Sequence, residues 1–121
     1  MTQQTTPRRQ VLLVEDEAII AMLMEDMLAE FSCDVAATVG ELDAATVAAR
    51  SDHFDMAFID VNLHGASAYP VADILRARGI PFAFVTGYGT AGADAAYADV
   101  PVLQKPFRVQ ELEAIIERLR V

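Results

Sequence analysis

The sequence predicts an α/β fold: a doubly wound, five-stranded parallel sheet of strand order 2-1-3-4-5 with five helices on its two faces. Three observations carry this. Short apolar runs rich in strand formers alternate with longer segments of helical periodicity. That alternation implies parallel strands whose crossover helices cover both faces. At 54% hydrophobic residues, a chain of 121 residues can bury a sizeable core as one domain. Right-handed crossovers leave few topologies. One is the order 2-1-3-4-5, which opens a ligand crevice where strands 1 and 3 diverge.

The elements follow in order. Residues 1–9 read as a flexible polar tail, and 10–121 as the domain. "VLLV" (Val11–Val14) is the first strand, too short for a buried helix. A helix from about Ala18 to Phe31 puts Ile20, Leu23, Met24, Met27, Leu28 and Phe31 on one face. "CDVAATV" is the second strand, and "GELDAATVAARS" the second helix, with Leu42, Ala45, Thr46 and Ala49 in line. "FDMAFID" is the third strand, ending on Asp60. The third helix, "YPVADILRARG", has Pro70 in its first turn and Gly79 as its stop. "IPFAFVT" is the fourth strand. "GYGTAGADAAYAD" is expected to hold a short helix. "VPVLQK" is the fifth strand, and a last helix over Val109–Leu119 turns Leu112, Ile115, Ile116 and Leu119 inward.

Charge and composition exclude several functions. Eighteen acids against nine bases give a net charge of −9, which argues against nucleic acid and anionic lipid as partners. No apolar run is long enough for a membrane span, and the N-terminus lacks a signal-peptide pattern, so a cytoplasmic protein is expected. Cys33 is the one cysteine, read as a small core residue with no disulfide partner.

The chemistry lies at the strand ends. "VLLVEDE" ends a strand in three adjacent acids, which repel unless something compensates them. In a parallel sheet of this order Glu15, Asp16, Asp60, Thr86 and Lys105 share one edge: three acids, a hydroxyl and an ammonium in one crevice. Oxygen ligands from a few carboxylates, with waters retained, suit Mg²⁺. Asp60 can serve as a nucleophile that takes a phosphoryl group as an acyl phosphate. Lys105, Thr86 and backbone N–H groups can offset charge on the phosphoryl oxygens, and Gly87 leaves room for entry.

"VEDE", "FIDVN", "VTG" and "QKPF" resemble, in order and spacing, the receiver domain of two-component response regulators, a flavodoxin-like fold. The resemblance implies Asp60 as phosphoacceptor and Asp16 as direct metal ligand, with Glu15 as its partner. It implies Asn62 as donor of a backbone carbonyl to Mg²⁺, Thr86 as switch hydroxyl, Lys105 as the ammonium, and a cis Lys105–Pro106 bond. "PFAFVTGYG" is similar to a single-domain alphaproteobacterial subgroup with Phe-x-Thr-Gly-Tyr on the fourth strand. Here Val85 stands where that subgroup has alanine. The partners implied are a histidine kinase of the HWE or a related type, or a phosphotransfer protein, and an unknown downstream protein. A weak homodimer is also among the expected assemblies.

Some positions depart from the pattern or are ambiguous. The usual switch aromatic, three before the lysine, is Val102, so Tyr88 or Tyr97 is left as a substitute. Tyr97 reads as a half-exposed surface residue, and Tyr88 as a group beside the phosphoryl entrance. His64 stands where many receivers have proline and reads as a solvent-facing loop residue; His53 reads as surface. Asp55 reads as a loop or cap residue. Glu17 reads as a residue that favours the first helix's N-terminus and need not bind metal.

The leading expectation is a stand-alone phosphoacceptor, not an enzyme, that signals by phosphorylation-dependent contact, since no output segment follows Val121. A phosphate sink uses the same residues. A Mg²⁺-dependent aspartyl phosphatase is disfavoured by Asn62, which stands where such enzymes carry a second acid. An interaction module that no longer takes phosphate is disfavoured by the complete set of site residues.

Overall fold

A computed structural model describes residues 8–87 and 95–120 of the chain. Five strands form the main sheet: β1 (Arg9–Val14), β2 (Cys33–Val39), β3 (Met56–Asp60), β6 (Phe82–Thr86) and β7 (Val102–Gln104). Their order is β2-β1-β3-β6-β7, all pairs parallel, which is the expected 2-1-3-4-5. A small antiparallel hairpin, β4 (Asn62–Leu63) with β5 (Ala66–Ser67), follows β3. The helices are α1 (Ala18–Glu30), α2 (Leu42–Ser51), α3 (Tyr69–Ala77) and α4 (Val109–Leu119).

Alternation along the strands builds a core on each face, because successive side chains point to opposite sides. Leu12, Val14, Ala57, Ile59, Phe82 and Phe84 meet Ala45 and Ala49 of α2 and Val71 and Leu75 of α3. Val11, Leu13, Met56, Phe58, Ala83 and Val85 meet Met24 and Leu28 of α1 and Leu112 and Ile116 of α4. The inward face expected for α4 is buried throughout. The stop of α3 is a Schellman turn: Gly79 takes φ +73° and Ile80 N–H donates to Leu75 O at 2.9 Å. At the start of α4, the Arg108 N–H donates to the Glu111 side chain at 2.8 Å.

Four expectations need correction. β1 begins at Arg9, inside the segment read as tail; residues 1–7 lie outside the described residues. The fifth helix expected over 87–99 falls mostly outside them too; the described part of it is one 3₁₀ turn, Ala95–Tyr97. The stripe on α1 is narrower than its apolar content implies. Ala21, Met24 and Leu28 are buried, whereas Leu23 is 49% exposed, because a helix apolar nearly all round does not itself specify which side meets the sheet.

Tyr97, expected at the surface, is buried. It stacks on Tyr69 at 5.2 Å between centroids, meets Phe84 edge-on at 5.5 Å, and carries the Arg76 guanidinium 4.8 Å over its ring. Val102, the small residue at the usual aromatic position, is partly buried against the core on the same face of the sheet as Tyr97 and Phe84.

Candidate functional site

Register brings the strand ends level. Val14 pairs with Ile59, Asp60 with Val85, and Thr86 with Gln104, so the residues that follow emerge along one edge. There Lys105 Nζ lies 3.0 Å from Glu15 Oε1, 3.1 Å from Asp60 Oδ2 and 3.4 Å from Glu17 Oε1. Backbone groups hold the acids in place. Glu17 N–H donates to Glu15 Oε2 at 3.0 Å, Asn62 N–H to Asp60 Oδ1 at 3.1 Å, and His64 N–H to Asp16 Oδ2 at 2.9 Å. The Asn62 side chain accepts from Gly65 N–H, closing the turn between β4 and β5. Lys105 N–H donates to Thr86 O, and the Lys105–Pro106 bond is cis, as the resemblance implied.

Above this edge lies a cleft of about 390 Å³ lined by Asp16, Glu17, Asp60, Asn62, Gly87 and Lys105. A Cβ built on Gly87 would meet nothing within 4 Å among the described residues. Glu15 lies beneath, 3% exposed. Thr86 is buried one residue before Gly87, its side chain outside the cleft lining.

Burial and charge compete here. The Glu15 carboxyl is pushed up to about 7. Burial is the main cause and the Asp60 charge adds to it, while the Glu17 N–H and the Lys105 ammonium pull the other way. Burial opposes the Lys105 charge too, but its contacts with Glu15 and Asp60 outweigh this and raise its pKa. Lys105 is therefore a permanent cation at neutral pH and not a proton donor.

The donor set fits a hard divalent cation. Glu15, Asp16, Glu17 and Asp60 each offer a carboxylate oxygen, all within 4.8 Å of one another. Glu15 Oε1 is buried, with the Lys105 ammonium 3.0 Å away as the cation beside it among the described residues. One ammonium does not balance four acids, and an oxygen-seeking cation would relieve the excess.

Glu15, Asp16, Asp60, Asn62 and Lys105, all expected at the site, converge, with Thr86 buried alongside. Glu17 was read as a helix-end residue. It faces Lys105 and lines the cleft, and as the residue preceding α1 it makes no side-chain capping bond. His64 was read as solvent-facing. Its ring is indeed 60% exposed, but its main chain and Nδ1 both address Asp16. Tyr88 lies outside the described residues. His53 is at the surface as expected. Asp55 pins the amino end of β3 to β1 by accepting from Gln10 N–H at 2.7 Å. The signal that marks Glu17 is its place as third acid in the run; for His64 it is the replacement of proline.

The fold is thus a doubly wound sheet whose switch point carries clustered acids and an ion-paired lysine. The family profile for the response regulator receiver domain matches residues 11–117, and the chain belongs to that family. A search of curated proteins found no match. Among solved structures, SdrG from Sphingomonas melonis Fr1 is 38% identical over 97% of this chain and 100% of its own, with a TM-score of 0.86. The BeF₃-activated conformation of SdrG, at the same identity, gives 0.80. The receiver domain of PhyR from Erythrobacter litoralis is 26% identical over 93% of this chain and 90% of its own, with a TM-score of 0.82. The receiver domain of histidine kinase PA1611 from Pseudomonas aeruginosa PAO1, with magnesium in its active-site cleft, is also 26% identical. It covers 93% of this chain and 97% of its own at a TM-score of 0.80. No helix among the described residues is long and apolar enough to cross a membrane.

Proposed function

We propose that this receiver takes a phosphoryl group from a histidine kinase, or a phosphotransfer protein, onto Asp60 and signals through phosphorylation-dependent contact with another protein. The observation that carries the reading is Asp60 at the centre of the edge, 3.1 Å from a permanent ammonium and within 4.8 Å of three further carboxylates. In the transfer, the P–N bond of the donor's phosphohistidine breaks and a P–O bond to the Asp60 carboxylate forms; the imidazole leaves with the electron pair. Asn62 N–H holds Asp60 Oδ1, which fixes the carboxylate plane before attack. Lys105, freed from Asp60 Oδ2, neutralises a phosphoryl oxygen as charge arrives. Gly87, with no side chain, lines the cleft, and the buried Thr86 is the hydroxyl next to it in sequence.

Mg²⁺, held by Glu15, Asp16, Asp60 and the Asn62 carbonyl, would supply charge neutralisation of the transferring group. The magnesium in the PA1611 cleft and the BeF₃-activated form of SdrG support carrying this chemistry here. On this reading the protein turns over only its own acyl phosphate, works in the cytoplasm, and is not an enzyme toward an external substrate. The kinase is of the HWE or a related type.

The test is incubation with acetyl phosphate and Mg²⁺ followed by intact mass measurement. Wild type gains one phosphate, and Asp60→Asn gains none. Equal labelling of the two would place the acceptor elsewhere and overturn the reading.

A further inference from the structure

The ammonium at the cleft has three carboxylates around it, and one of them stands outside the residues that the proposed chemistry uses. Lys105 is the single lysine of the chain. An ammonium carries three N–H groups and no acceptor. Beside this one lie Glu15 Oε1 at 3.0 Å, Asp60 Oδ2 at 3.1 Å and Glu17 Oε1 at 3.4 Å. Glu15 reaches it from beneath the cleft and Asp60 from the end of β3, both buried. Glu17 reaches it from the rim, with its side chain 63% exposed.

The backbone places Glu17 for this contact. Its N–H donates to Glu15 Oε2 at 3.0 Å, so the carboxyl beside Lys105 also ties down the main chain of Glu17. As the residue preceding α1 it could cap the helix. Its side chain makes no capping bond and turns instead to a lysine 88 residues away. Its carboxylate oxygen lies within 4.8 Å of those of Glu15, Asp16 and Asp60. An exposed ion pair adds little to stability, so what this contact can set is where the ammonium stands. A lysine stem is long and flexible, and holding it in one place costs entropy that a third partner helps to offset.

In the proposed transfer the other two partners are taken up. The Glu15 carboxylate turns to the cation, and the Asp60 carboxylate becomes an acyl phosphate. Glu17 is the partner that remains. We propose that Glu17 is a positioning residue: it tethers Lys105 from the rim, so that the ammonium stays aimed into the cleft and meets the phosphoryl oxygens when Asp60 releases it. The inference rests on the part of the proposed function that gives Lys105 to the phosphoryl group. It goes beyond that reading in naming what holds the lysine there.

The test compares wild type with Glu17→Ala, which removes the tether, and Glu17→Gln, which keeps an acceptor oxygen and drops the charge. Because the chain has one lysine, isotopic labelling of lysine side-chain nitrogen gives a single ammonium signal, whose hydrogen exchange with water NMR reads directly. In metal-free protein this exchange is expected to be about threefold faster or more in the alanine variant, with glutamine in between. With Mg²⁺ and beryllofluoride bound, the other two partners are engaged, and the gap is expected to reach about tenfold. Beryllofluoride affinity is expected to fall about tenfold in the alanine variant and by less than about threefold in the glutamine variant. Equal ammonium exchange in all three metal-free proteins would overturn the proposal. So would a rise in beryllofluoride affinity in both variants, the result expected if Glu17 only repels the incoming anion. Failure of wild type to bind beryllofluoride would sink the proposed function instead, and the metal-free exchange would still judge the tether.

Discussion

Glu15→Gln tests the electrostatics of the site on a scale the structure sets. Glu15 is 3% exposed, and burial chiefly drives its carboxyl from the usual 4.5 up to about 7. Between those values the folded protein keeps a proton that the unfolded chain has released. The group's contribution to stability is therefore full below pH 4.5 and is lost as pH rises through 7. The whole shift corresponds to about 3 kcal/mol, most of which develops between pH 5 and pH 8. Glutamine has the same shape, cannot ionise, and still accepts the Glu17 N–H.

The assay is urea denaturation of both proteins in EDTA at about pH 5 and about pH 8, read as the stability difference. Taking the difference cancels the other titrating groups, which the two proteins share. That difference is expected to move in favour of the variant by about 2 to 3 kcal/mol as pH rises. Saturating Mg²⁺ should erase the gain, because a bound cation needs the carboxylate and compensates its charge. A difference independent of pH, or one that moves toward the wild type, would refute burial as the dominant influence on Glu15.

Three further perturbations follow from the geometry. Lys105→Met removes the cation lying within 3.4 Å of three carboxylates. Metal-free protein should lose about 3 kcal/mol at pH 8 and recover part of it in Mg²⁺, measured by denaturation in both conditions. A loss under about 1 kcal/mol would mean that solvent already screens the cluster. Tyr97→Ala empties the stack on Tyr69 and removes the ring beneath Arg76, and should cost about 3 kcal/mol in urea melts; a surface role would cost almost nothing. Gly40→Ala would place a Cβ 3.2 Å from Asp16 Cα and from Glu15 O, both backbone atoms. It should cost about 1 to 2 kcal/mol and weaken Mg²⁺ binding by moving Asp16, as read by calorimetry. Unchanged affinity would mean that β2 yields instead.

The sequence alone determined the strands, their alternation with helices, and the residues at each strand's carboxyl end. These are local facts: short apolar runs, period-two and period-3.6 patterns, and a charged residue where each run stops. That is why Asp16, Asp60 and Lys105 were legible, and why the buried face of α4, with its sharp polar side, was too. What depends on neighbours distant in sequence was not. Helix α1 is apolar on several sides, so only docking on the sheet decided that Met24 and Leu28 turn in while Ile19, Met22 and Leu23 stay out. Tyr97 looked like a surface residue because its partners come from α3 and β6, segments that meet it only after folding. Glu17 joined the acid cluster for the same reason: parallel register lifts the ends of β1, β3 and β7 to one level. That single edge, and not any run of residues, sets the ångström distances on which the proposed chemistry depends.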